Sequence, residues 1–157
     1  MLGSKNNFFS QDKSVLEEKR KELEYLVSVL WNRNDYIKET YLKIYDFFCE
    51  NPKEFDGATI VKDLCIIKGL DTSAMLHDYL YMTYKVAGNY KYKWKADLLY
   101  AFEMERSGGA AYSTWSRFLG LTIFGGLFFT PLKICKGLKM SLLNKTRFNE
   151  LYKGFRD

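Results

Sequence analysis

The sequence predicts a mainly α-helical single domain of five or six helices, with a short irregular or β-containing segment near residues 55–70. Three observations carry that expectation. Apolar residues recur at helical spacing in several stretches, residues that cap helix starts stand at the heads of those stretches, and only 2 prolines interrupt 157 residues. The length is enough to bury a core without disulfide or metal staples. A hydrophobic content of 47% against 27% charged excludes a disordered chain.

Taken in order, Ser14-Val15-Leu16-Glu17 reads as a capping box that opens a first helix running to about Trp31. Along it Leu16, Leu23 and Leu30 recur every seven residues, too few repeats for a coiled coil, so an amphipathic helix is expected. Asn34 or Asp35 caps a second helix with Ile37, Tyr41, Ile44 and Phe48 on one face, ended by Pro52. Residues 1–53 thus form an N-terminal helical hairpin. After the irregular stretch, Asp71-Thr72-Ser73 offers caps for a third helix reaching Val86 and stopped at Gly88-Asn89. A fourth spans about Lys91 to Arg106 and should run antiparallel to the third. A fifth begins near Tyr112–Ser116 and leads into Phe118–Leu132, fifteen uncharged residues broken by Gly120, Gly125, Gly126 and Pro131. Crossing a bilayer takes about 20 apolar residues, so a buried or glycine-hinged helix is expected there, and membrane contact is the less favoured reading. A basic helix over about Ser141–Tyr152 closes the chain.

The net charge of +5 is concentrated at the C-terminal end. Residues 133–157 hold seven basic side chains, Lys133, Lys136, Lys139, Lys145, Arg147, Lys153 and Arg156, against Glu150 and Asp157. This segment is a solvated helix face or a basic contact surface for nucleic acid, through non-specific contact with DNA, for anionic lipid or for an acidic protein surface. An aromatic load of 12 Tyr, 12 Phe and 3 Trp exceeds what a core of this size needs and points to partner contacts. Cys49, Cys65 and Cys135 imply no disulfide framework, and a single His with no CxxC leaves no metal site or cofactor to expect. The opening residues carry no secretory leader, so synthesis in a reducing cytoplasm is the expectation. Nucleotide-binding and hydrolase signatures are missing from the sequence.

One cluster combines chemistry-bearing residues: His77-Asp78 with Tyr81 one turn later, Asp97 on the next helix, and Asp56 in the preceding loop. An imidazole held by a carboxylate can accept a proton, with Asp78 free to bind calcium. This arrangement resembles phospholipase A2, and the resemblance implies a lipid or cell-wall hydrolase acting through His77 and Asp97 during entry or lysis. That family's cysteines and glycine-rich carbonyl loop have no counterpart here. A structural polar cluster, in which His77 and Asp97 satisfy one another, is therefore the expected role and no catalytic residue is assigned.

Phe55-Asp56-Gly57-Ala58-Thr59-Ile60, then His77-Asp78-Tyr79-Leu80-Tyr81, then Ala96-Asp97 and a glycine-containing helix near Arg117–Gly126, together resemble an uncharacterised family of tailed phages and prophages with the pattern D-G-A-[ST]-I, H-D-x-L-Y, A-D. The likeness covers residues 54–126, with Val61 where the pattern has proline. It implies a non-enzymatic virion subunit in the portal-proximal neck or tail, forming a cyclic homo-oligomeric ring with portal, neck or tail proteins. The Lys, Asn, Tyr and Phe richness suits an AT-rich genome such as those of crAss-like gut phages.

Overall fold

The computed structural model describes residues 8–55, 67, 69–108, 114–120, 122–123 and 139–157. It is mainly helical, as expected, with no sheet among these residues. The helices are α1 (Lys13–Tyr25), α2 (Asp35–Glu50), α3 (Thr72–Tyr84), α4 (Tyr90–Arg106), α5 (114–120) and α6 (Leu142–Arg156). Short 3₁₀ turns lie at Phe8–Ser10, Pro52–Glu54 and Val86–Gly88. Two compact units, Met1–Asp78 and Tyr79–Asp157, meet in sequence inside α3.

In the first unit α1 packs on α2 because both carry an apolar stripe. Leu16, Leu23, Leu26 and Val27 are buried on one side, and Ile37, Tyr41, Ile44, Tyr45 and Phe48 on the other. The Asn34 side chain accepts from the Ile37 amide at 3.0 Å, the cap anticipated for α2. Two polar links tie the hairpin: the Tyr45 hydroxyl donates to the Leu16 carbonyl at 2.9 Å, and the Arg20 guanidinium grips Asp46 through two bonds of 2.7 and 2.8 Å. At one end Phe8, Phe9, Tyr45, Phe48 and Phe55 interlock, mostly edge to face, with ring centroids 5.0–6.3 Å apart. Burying each phenyl ring contributes roughly 2–3 kcal/mol.

The first helix departs from expectation at both ends. It begins at Lys13 with Asp12 in the capping position and no side-chain cap bond, so Ser14 sits inside the first turn and the anticipated capping box does not form. Past Tyr25 it widens into a π-helical turn, Leu26–Leu30, closed by the Trp31 amide on the Leu26 carbonyl at 2.9 Å. Within this turn the Ser28 hydroxyl donates to the Glu24 carbonyl at 2.6 Å.

The irregular segment expected near 55–70 falls mostly on residues 56–66 and 68, outside the described residues. At its end Ile67 and Leu70 form an isolated antiparallel bridge around Gly69. Gly69 has φ +87°, and a Cβ there would stand 3.3 Å from Phe8, so the turn requires glycine. Asp71 then caps α3, its Oδ1 accepting from the Ala74 amide at 3.0 Å and the Ser73 hydroxyl at 2.6 Å.

In the second unit α3 stops at Tyr84, two residues short of the expected Val86. Lys85 adopts a left-handed conformation, φ 55°, and breaks the helix before the Gly88-Asn89 signal. The Asn89 side chain caps α4, accepting from the Lys91 amide at 3.2 Å. Helix α6 packs on α4 through Phe148, which is buried against Tyr84, Tyr92 and Tyr152. Ser141 caps α6, which continues to Arg156, a full turn beyond the expected end.

Candidate functional site

The residues singled out by the sequence lie on α3 and α4. Helical spacing places His77 and Tyr81 one turn apart on α3, and α4 carries Asp97 near its middle. His77 is buried near the end of the first unit, with its Nδ1 4.0 Å from the Asp78 carboxylate on its own helix. Asp78 is half-buried. Asp56 lies outside the described residues.

Asp97 is the best-defined member. Its side chain is 0% exposed, and each carboxylate oxygen receives a charge-assisted or hydroxyl bond: Oδ1 from the Tyr81 hydroxyl at 2.6 Å and Oδ2 from the Lys93 ammonium at 2.6 Å. Lys93 is itself 3% exposed. Removing two charges from water costs several kcal/mol each, and such a pair persists when close contact and further hydrogen bonds offset that cost. The geometry here supplies both. Its chemical consequence is a carboxylate occupied on both oxygens, suited to fixing the register of α3 against α4 within the second unit.

Lys93 was not anticipated as a site residue. Its signal was nevertheless present, because Lys93 and Asp97 stand at i and i+4 on one helix. Charged residues are read as surface by default, and only burial reveals this pair as internal. Glu103, also buried, pairs instead with an exposed partner, Arg106, at 3.5 Å. Among the described residues, no three His, Cys, Asp or Glu side chains gather as a metal site would need.

The basic surface is seen in part. Lys139, Arg147, Lys153 and Arg156 are exposed and Lys145 is half-buried, while Lys133 and Lys136 lie outside the described residues. Arg156 stacks 4.1 Å above the Phe102 ring. The apolar run expected to be a buried or hinged helix is described at Phe118–Gly120 and at Thr122 and Ile123. There Phe118 is buried, whereas Leu119 and Ile123 face outward. Among the described residues, no helix is long and apolar enough to cross a membrane. No family model, curated protein or solved structure matches the chain.

Proposed function

We propose that this chain is a non-enzymatic structural subunit of a tailed-phage virion, placed in the portal-proximal neck or tail and assembling as a ring through protein–protein contacts. The observation that carries the assembly reading is a set of large apolar side chains left at the surface of the first unit and the start of α6. Tyr25, Val29, Leu30 and Tyr36 protrude from the α1–α2 hairpin, and Leu142 and Leu143 from α6. Surfaces of this kind mark protein contacts. The virion context rests on the sequence resemblance over residues 54–126. Against the hydrolase alternative stands the sequence, in which the cysteines and glycine-rich carbonyl loop of the phospholipase family have no counterpart.

Imaging of purified particles, with the subunit's density located at the neck or tail, tests this reading directly. Purified protein should also form monodisperse oligomers without detergent, and His77→Asn should leave assembly nearly intact. Calcium-dependent phospholipid hydrolysis that His77→Asn abolishes would overturn it in favour of the enzyme.

A further inference from the structure

The second unit carries a surface feature apart from the side chains on which the assembly proposal rests. Trp115, Leu119 and Ile123 are 41%, 55% and 56% exposed, and their spacing of four residues sets them along one side of the α5 region. Trp94 on α4, 44% exposed, belongs to the same patch, because Phe118 contacts both tryptophans with ring centroids 6.3 Å from Trp94 and 5.6 Å from Trp115. Phe102 extends it from the Trp115 side at 6.3 Å. The rim is mainly cationic. Lys91 stands one turn before Trp94 on α4, Arg156 lies over Phe102, and Arg106 donates to the Phe155 carbonyl beside it, with Glu105 the acidic exception.

Charge decides what such a patch would meet. The second unit holds 13 basic and 5 acidic residues, and two of those acids, Asp97 and Glu103, are buried beside Lys93 and Arg106. Its exposed acids are Glu105, Glu150 and Asp157. A cationic surface attracts any polyanion, but nucleic acid is gripped through phosphates and gains little from protruding Leu and Ile side chains. Tryptophan beside aliphatic side chains, ringed by Lys and Arg, matches the boundary between anionic headgroups and acyl chains.

We infer that the Trp94–Trp115–Leu119–Ile123 face binds the surface of an anionic phospholipid bilayer, lying on it rather than crossing it. The test is co-sedimentation of the full chain with vesicles of phosphatidylcholine alone and of phosphatidylcholine with phosphatidylglycerol. Binding is expected to the second only and to weaken as NaCl is raised from about 0.1 to 0.5 M. Trp115→Ser combined with Leu119→Ser should lower affinity at least about tenfold, while Tyr36→Ser, an exposed aromatic of the first unit, should not. Because both patch positions are solvent-exposed, the double variant should keep the wild-type circular dichroism spectrum. Failure of the wild-type chain to bind anionic vesicles, or undiminished binding by the double variant, overturns the assignment. So does binding to duplex DNA without binding to vesicles. None of these outcomes bears on particle imaging, so the lipid assignment and the virion reading can fail separately.

Discussion

At the scale of single residues, the Lys93–Asp97 pair sets the sharpest expectation. Asp97→Asn keeps an acceptor for Tyr81 but removes the carboxylate charge that lies 2.6 Å from the buried Lys93 ammonium, and should cost about 3 kcal/mol or more in urea unfolding. Replacing both partners by apolar residues, Lys93→Met with Asp97→Leu, should recover most of that loss. A double variant as unstable as Asp97→Asn alone would show that the pair's value lies in its other hydrogen bonds. A second expectation concerns alkaline pH. Burial, with help from neighbouring Asp46, pushes the Cys49 thiol up from 9.0 to about 11, and burial raises the Tyr45 phenol above its ordinary 10.0. The fold favours both neutral forms. The Cys49 contribution is therefore intact below pH 9 and is lost as pH rises through about 11, while that of Tyr45 is intact below pH 10 and begins to be lost above it. Stability measured by urea titration should fall over that window. Tyr45→Phe should flatten the fall while costing about 1 kcal/mol at pH 7, through loss of the bond to Leu16. The positions of His77 and Asp97 on helices were legible from spacing. That Lys93 would be internal was not, because periodicity reports which face a residue occupies but not whether a second charged residue accompanies it inward.

At the scale of elements, caps and stripes were the legible signals, and helix ends the weak ones. Asn34, Asp71 and Ser141 start their helices as expected since each has a side-chain oxygen at capping distance from an unpaired amide. Ser14 failed because a start two residues earlier, behind Asp12, lets the Leu16 amide bond the Asp12 carbonyl at 3.0 Å. Asn34→Ala should lower stability by about 1 kcal/mol. By contrast, Arg20→Ala should cost less, about 0.5 kcal/mol, because its pair with Asp46 is half-exposed and screened. The break after α3 was misplaced for a different reason: Lys85 takes a left-handed conformation normally left to glycine, so composition pointed to Gly88. Lys85→Gly should raise the thermal midpoint, a gain of about 1 kcal/mol, since the exposed lysine adds backbone strain.

For the whole molecule, the partition of charge matters most. The first unit has 11 basic and 14 acidic residues, the second 13 and 5, so the overall +5 conceals an acidic unit and a strongly basic one. Repulsion within the second unit is screened over a length of about 10 Å at 0.1 M salt. Calorimetry should therefore show a melting temperature that rises by a few degrees as salt increases from low ionic strength, and a fall instead would mean that attractive pairs such as Arg20–Asp46 dominate. The π turn at Leu26–Leu30 has a consequence for how this protein can change in length. It is an extra residue already accommodated within a helix, so deleting Ser28 would let an ordinary α ladder close across the gap. The chain beyond it would then turn by about 100°, moving Trp31 off Tyr41, now 6.0 Å away, and redirecting Val29 and Leu30. The outward face of this hairpin is thus set by a count of residues as much as by their identity.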